Sequence, residues 1–437
     1  MRLNSLELIN FRCFKRVEIL FDRSLNVILG VNGSGKTSLI EAMSIALYPI
    51  LSPFELAKKK HIASSDVHVP LDQRSLAADG RVYRSERQFP CTVLAEFSKG
   101  ADFDDGKVFT SKRSLMQEGG RTTTADALAA NAFGAELLAR MKGRRRPLPV
   151  FPVIAMYGSN RLWAEPRTTN RQKTAERSKT SRAAAYFYSI DPRISKASIA
   201  DWLLRLMLSE DKISLSIVED ILSHFLDQKS IKLVSLETVD DDICIRLHNG
   251  DIQPMSFFSD GQKIAFWTLL DIIRQGMRLN PEIWTSDSRK QTGIVIIDEI
   301  DLHLHAQWQR RILDTMRSHF PKVQLILTTH SPLIVGSVST ENLLILNQSE
   351  VIQGSDYNPI GIDANYILRD IFKAESRLPE VSASLKAVAA AINGNRFEDA
   401  DKKLDQLEGQ FRHLPEISGL RAKNALFRGR YEKTRKG

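Results

Sequence analysis

Cysteine is scarce in this 437-residue chain: Cys13, Cys91 and Cys244 lie far apart and form no C-x-x-C pair. That excludes a disulfide framework and a zinc knuckle, and it suits a reducing compartment. No apolar run reaches the roughly 20 residues a bilayer crossing needs, and Met1-Arg2-Leu3-Asn4 carries no signal-peptide apolar core. The expectation is a cytoplasmic protein with no membrane contact. Between Thr37 and Phe258 there are no sustained heptads, which excludes a long coiled coil. No nucleophilic serine or cysteine stands beside a base motif. Charge of one sign is only mildly in excess, with 61 Lys and Arg against 52 Asp and Glu, a formal +9. Such basicity permits a nucleic-acid partner without requiring one. Hydrophobic residues at 43% and charged residues at 26% describe a globular chain with room for two or three domains.

The densest signal runs from Asn26 to Ile40, NVILGVNGSGKTSLI. An apolar run ends at Gly30, a Gly-rich turn leads to Lys36-Thr37, and Leu39, Ile40 and Met43 recur at helical spacing. That strand–loop–helix context makes G-x-x-x-x-G-K-[ST] a phosphate-binding loop. Gly33 and Gly35 let backbone N–H groups turn inward where a Cβ would obstruct, with Asn32, Ser34 and Ser38 in the same cradle. Lys36 supplies a mobile charge for the β- and γ-phosphates, and Thr37 offers a hydroxyl to Mg²⁺. The new helix points its positive end at the same anion. ATP and Mg²⁺ are the expected cofactors.

Residues 1 to 29 read as two or three strands, with Arg12 on the turn between the first two. Arg12 is either a solvated turn arginine or a nucleotide contact. A helix from Ser38 to about Leu51 is stopped near Pro49 and Pro53; Val82–Arg87 and Thr92–Phe97 read as strands. Residues 99 to 124 lack a period and suggest an exposed loop or irregular hairpin. A helix follows to Gly143, then a buried strand within Pro149–Tyr157. Lys142 to Arg146 and the polar stretch from Arg161 to Arg182 are basic, and either solvated loops or contacts for DNA, RNA or an acidic partner. Ser198 is placed to cap one helix, a second runs from Ser214 to Gln228, and Asn249-Gly250 marks a hairpin turn. A polar loop is expected over 285–292. From Leu378 the tail shows helical stripes, which either dock a partner or pack on the body.

Four signals stand in order: the phosphate loop, Ser259-Asp260-Gly261-Gln262 before a helix, Asp298-Glu299 after the apolar run Gly293–Ile297, and His330 after Val323–Leu327. Alternating strands and helices imply an α/β fold with a parallel sheet and chemistry at the strands' C-terminal ends. Asp298 is placed to hold Mg²⁺, Glu299 to accept a proton from an attacking water, and His330 to reach a γ-phosphate. Phosphoryl transfer needs a cradle, a metal, a water-orienting base and a charge sensor.

This set resembles the ABC-type ATPases of the structural-maintenance-of-chromosomes and RecF group, over most of residues 1–50 and 250–345. The resemblance implies that Ser259, Gly261 and Gln262 act in trans on a nucleotide held by a second copy, in a head-to-tail dimer. It matches Arg12 to an arginine that approaches the phosphates. The family signature L-S-G-G-Q is altered, with Phe258 for Leu and Asp260 for the first Gly; the added carboxylate implies slow hydrolysis. Gln88 is one candidate for the family's second metal-site glutamine. Pro149–Gly158 with Arg161-Leu162-Trp163, Leu279-Asn280-Pro281 and Asp298–His305 further resemble the ATPase subunits of Septu-type and some retron-type anti-phage systems. Those ATPases pair with an HNH endonuclease. The implied layout is an ATPase lobe at 1–98, an inserted α/β and helical region at 99–250, a second ATPase lobe at 251–355 and a helical appendage at 356–437. A RecF-like repair ATPase that binds DNA directly is the alternative. A nuclease with an added Toprim domain is disfavoured, because only about a hundred residues follow His330. His303 and His305, two apart, suit a structural place beside a dimer interface better than a metal site.

Overall fold

The computed structural model describes the chain apart from residues 55–58, 71–85, 104–105, 144–146, 163–181, 236–242, 348–349, 354–357, 371, 373–378, 412–413 and 437. It divides into two units, Met1–Ile362 and Asp363–Gly437. The strands are β1 (Arg2–Phe11), β2 (Phe14–Leu20), β3 (Leu25–Gly30), β4 (Cys91–Ser98), β5 (Val108–Leu115), β6 (Val153–Tyr157), β7 (Ile231–Ser235), β8 (Ile243–Leu247), β9 (Ile252–Pro254), β10 (Gly293–Ile297), β11 (Val323–Thr329), β12 (Leu343–Asn347) and β13 (Glu350–Gln353).

The central sheet has the order β13-β12-β3-β11-β10-β6. Its members from β12 to β6 are parallel, and β13 closes one edge antiparallel. Strands β3, β6, β10 and β11 are buried at every position, which is why they read as unbroken apolar runs rather than alternating ones. Four C-terminal ends therefore sit side by side, carrying Gly30, Gly158, Asp298 and His330. The sheet β2-β1-β4-β5 is antiparallel. The helix Lys36–Leu51 contacts β3 of the first sheet and β1, β4 and β5 of the second. With the turn to Phe54 it is long and apolar enough to cross a membrane by length and composition, contrary to expectation. Its apolar surface is instead mostly buried in the core, as an all-round apolar helix requires.

The first helix ends at Leu51, as expected, with Pro49 inside it. Several other local expectations are corrected. Of the two readings of 99–124, the exposed loop fails over 108–115 and the hairpin holds: these residues form strand β5, antiparallel to β4, with Phe109, Ser111, Arg113, Ser114 and Leu115 buried. Glu86 and Arg87 are outside any strand, and 82–85 lie outside the described residues. Ser195, not Ser198, caps the helix Lys196–Leu208: the Ser195 hydroxyl accepts from the Ser198 N–H. Residues Pro281–Asp287 form a short helix with proline in its first turn, where a missing N–H costs nothing.

The sheet β7-β8-β9 turns at Gly250 and delivers the chain to the long helix Asp260–Leu279. Buried polar side chains tie that helix to the central sheet. Tyr157 Oη donates to Asp271 Oδ2 at 2.9 Å, Gln275 Nε2 donates to the same oxygen, and Arg274 grips Asp271 Oδ1 at 2.7 and 3.1 Å. Burial, then the neighbouring Asp271, push the Tyr157 phenol well above its ordinary pKa, so it stays a donor. At the helix's far end Asn280 accepts from the Phe151 N–H and donates to Phe151 O and Gln291 Oε1, all at 2.8 Å.

In the second unit, helices Pro379–Asn393, Phe397–Gln410 and Pro415–Lys436 enclose Val388, Ala391, Ile392, Ala400, Leu404, Leu407 and Ile417. Asn424 bonds Phe397 O and Asp401 across this cluster.

Replacing Asn280 with alanine leaves the buried Phe151 N–H without its acceptor, while Gln291 keeps Trp284 and Phe151 O. We expect a loss of about 1–3 kcal/mol in urea unfolding, against no more than about 0.5 kcal/mol for a surface change.

Candidate active site

Strand β3 ends at Gly30 and the helix opens at Lys36, so the phosphate loop is the turn between them. Gly35 has φ 105°, and a Cβ there would lie 2.5 Å from the Phe14 ring and 2.7 Å from Cys13 Sγ. Only glycine fits, because the β1–β2 turn packs directly behind the loop. Asn32 and Gly33 are exposed, Ser38 is half-buried one turn into the helix, and the buried Ser34 hydroxyl has no hydrogen-bond partner. No side chain caps the helix, which leaves its first N–H groups open toward the loop. Lys36 is 6% exposed and folds back, Nζ donating to Gly30 O at 2.7 Å and Val31 O at 3.1 Å. Burial lowers the Lys36 pKa, while Asp298, Glu299 and Asp301 pull it up.

Asp298 follows β10 and is 2% exposed. Its Oδ1 accepts from Thr328 Oγ1 at 2.6 Å, and its Oδ2 accepts a long bond, 3.4 Å, from Thr37 Oγ1. The structure thus joins the two predicted metal-site residues directly. Glu299 adopts φ 49°, left-handed and uncommon outside glycine. Its N–H donates to the same Thr328 hydroxyl at 2.7 Å. Thr328, at the end of β11, was not singled out from sequence; a hydroxyl two residues before His330 was the available signal.

His330 is half-buried beside Lys36. Burial first, then the Lys36 charge, hold its imidazole below the ordinary range, against the pull of Asp301, Glu299 and Asp298. Asp301 braces this end of the site, its Oδ1 accepting from Thr329 Oγ1 at 2.5 Å and from the His330 N–H at 3.4 Å.

Arg12 sits on the β1–β2 turn at φ 49°, next to the Cys13-Phe14 pair behind the loop. It is held by Asp66: Nε donates to Oδ1 at 2.8 Å and the Arg12 N–H to Asp66 O at 2.6 Å. Neither reading of Arg12 had foreseen this pair. Gln88 Nε2 donates within its own segment, to Glu86 O.

Ser259 and Gln262 form a reciprocal capping box at the N-terminus of the helix Asp260–Leu279. The Ser259 hydroxyl accepts from the Gln262 N–H at 3.3 Å, and Gln262 Oε1 accepts from the Ser259 N–H at 3.0 Å. Asp260 is the first helical residue, where a carboxylate suits the helix dipole. Phe258 is buried edge-on against Phe266, keeping the apolar place of the family's leucine. A Cβ on Gly261 would lie 2.1 Å from His303 O, so the signature helix rests on the backbone beyond Glu299. His305 precedes the helix Ala306–His319.

The basic stretch is corrected at its start. Arg161 is not solvated; it is 2% exposed, and its guanidinium donates to Asp298 O at 2.7 Å, Glu299 O at 3.2 Å and Gly158 O at 3.0 Å. Arg182 also turns inward, bonding Leu279 O and Glu282. Arg144–Arg146 and residues 163–181 lie outside the described residues. In sequence, Arg161 shared its surroundings with a dozen polar residues, and nothing local marked it as buried.

The donors present suit a nucleotide with a hard divalent cation. The Thr37 hydroxyl and the Asp298 carboxylate are oxygen ligands, while Lys36, the open helix N-terminus and the unpartnered Ser34 hydroxyl meet an anion.

Comparison with known proteins agrees with this geometry. An AAA-domain family model matches residues 5–242, and a second AAA-domain model matches 170–336. The chain is 33% identical to a retron Vc95 probable ATPase of Vibrio cholerae, over 36% of this chain and 31% of that protein. It is 25% identical to a Septu protein PtuA of Bacillus mycoides, over 80% of this chain and 41% of that protein. It is 34% identical to the DNA replication and repair protein RecF of Geobacter sulfurreducens, over 28% of this chain and 35% of that protein. The chain thus spans less than half the length of these curated relatives. Among solved structures, an SmcHead bound to the C-winged helix domain of ScpA aligns at TM-score 0.49 and 16% identity, covering 82% of this chain and 99% of that one. With its phosphate loop after β3 and its paired carboxylates after β10, on either side of β11, the chain belongs to the AAA-domain family of P-loop ATPases.

Proposed function

We propose that this chain is the ATP-hydrolysing subunit of an anti-phage defence complex, closing head-to-tail on ATP and regulating a partner nuclease of HNH type. The observation that carries the ATPase part is the direct Thr37–Asp298 contact, which puts the phosphate loop and the two carboxylates at one place. The defence part rests on the Septu protein PtuA, which matches 80% of this chain.

In this reading Lys36 leaves its loop carbonyls to meet the β- and γ-phosphates. Thr37 and Asp298 would hold Mg²⁺, which would supply positive charge to neutralise the phosphates. Glu299 takes the proton of the attacking water. His330, held below the usual imidazole range, is neutral at neutral pH and offers a hydrogen bond to the γ-phosphate. Arg12 reaches the phosphates by exchanging Asp66 for a stronger anion. Ser259 and Gln262 satisfy each other within their own chain, and Ser259 is exposed. That supports a role in trans, with the positive helix end at Gly261 facing the nucleotide of a second copy. The basic stretches at 142–146 and 161–182 contribute any DNA or RNA contact through residues other than Arg161 and Arg182.

Lys36→Ala should abolish nucleotide binding, measured with a fluorescent ATP analogue. Glu299→Gln should keep binding and lower turnover by about 10²-fold or more, while light scattering with ATP and Mg²⁺ shows an accumulated dimer. A strictly monomeric wild-type species that hydrolyses ATP would sink the trans arrangement. The purified chain alone should leave plasmid DNA uncut with any nucleotide. Co-expressed with the product of a neighbouring nuclease gene, it should co-purify and confer ATP-dependent cleavage. DNA cutting by this chain alone that survives Lys36→Ala would overturn the assignment, and direct duplex binding without a nuclease partner would favour a RecF-like repair role.

A further inference from the structure

We infer that Arg161 is a positioning residue for hydrolysis, clamping with Thr328 the backbone on both sides of Glu299. The inference rests on reading Glu299 as the base.

Glu299 occupies a conformation that side chains other than glycine seldom adopt, φ 49°. Such backbone persists only where the surroundings over-determine it. Here they do. On the amide side, the Glu299 N–H donates to Thr328 Oγ1 at 2.7 Å, and the Ile300 N–H to Thr328 O at 3.0 Å. On the carbonyl side, Arg161 spans two successive peptide groups, donating from Nη1 to Asp298 O at 2.7 Å and from Nη2 to Glu299 O at 3.2 Å. A planar guanidinium with donors in a fixed fork suits that pair of acceptors; an ammonium is a single point and does not.

The guanidinium is itself held. Its Nη1 also donates to Gly158 O, and the Arg161 backbone accepts from the Ile194 N–H at 2.7 Å and donates to Gly158 O at 3.2 Å. Gly158 follows β6, the neighbour of β10 in the sheet. Arg161 thus carries the rigidity of β6 to the residues after β10. Its charge is compensated by Asp298, Glu299 and Asp301, which oppose the effect of burial; the pKa falls only to about 10, so the group is charged at neutral pH. A buried charge so placed, bonded to main chain rather than to a carboxylate, is costly unless it serves the geometry of what it holds.

The test compares wild type with Arg161→Lys and Arg161→Met. Both should lower kcat by about a hundredfold, with KM and the affinity for a fluorescent ATP analogue within about twofold of wild type, and with one nucleotide bound per chain. Arg161→Ala should regain turnover when guanidinium ion is added at low concentration. An unchanged kcat in Arg161→Met would overturn the proposal; a parallel fall of kcat and nucleotide stoichiometry means loss of folded protein. If the Arg161 variants do not fold, Thr328→Val and Thr328→Ser decide. The valine variant should lose turnover and the serine variant keep it; wild-type turnover in Thr328→Val overturns the clamp. Absence of ATP hydrolysis by the wild-type chain would instead sink the ATPase reading, so the two failures are separable.

Discussion

One hydroxyl organises the catalytic end of this protein. Thr328 Oγ1 donates to Asp298 and accepts from the Glu299 N–H, so a single buried group fixes both carboxylate residues at once. It can do so because β11 lies between β3 and β10, with the phosphate loop on one side and Asp298-Glu299 on the other. Asp298 in turn reaches Thr37 across the same gap. A buried carboxylate must have its lone pairs met, and here the two partners that meet them belong to the phosphate-loop helix and to β11. The polar satisfaction of Asp298 and the assembly of the nucleotide site are the same event.

Around this joint, buried polar groups serve as rigid couplings rather than as sources of stability. Asp271 is shared by Tyr157, Arg274 and Gln275, linking the signature helix to β6. Arg161 links the loop after β6 to the backbone after β10. Gly261 lets the start of the signature helix touch the backbone at His303. The signature helix and the Asp298–His303 segment are therefore in contact both through the sheet and directly. The departure at Asp260 has a local rationale in the same place, since a carboxylate in the first turn of a helix is favourable.

The parts of the fold set by short-range pattern were legible in the residues. Largely apolar runs marked β3, β10 and β11, because strands covered on both faces show no polar alternation. The Gly-Lys-Thr turn, the helix after Ser259 and the tail's apolar stripes follow from glycine geometry, capping and the 3.6 period. Strand β5 was legible only as the hairpin alternative to a loop because half of it is polar, and Pro281–Asp287 was missed because a seven-residue helix scarcely shows a period.

What the sequence determined by itself is which side chains stand as candidates for the chemistry: Lys36, Thr37, Asp298, Glu299 and His330 lie in motifs whose spacing along the chain reflects local backbone geometry. What only the tertiary structure decided is which groups hold them. Thr328, Arg161 and Asp66 act through hydrogen bonds to residues 29, 137 and 54 positions away. A hydrogen bond at that separation leaves no periodic trace in the chain, since it depends on the order in which strands are laid side by side.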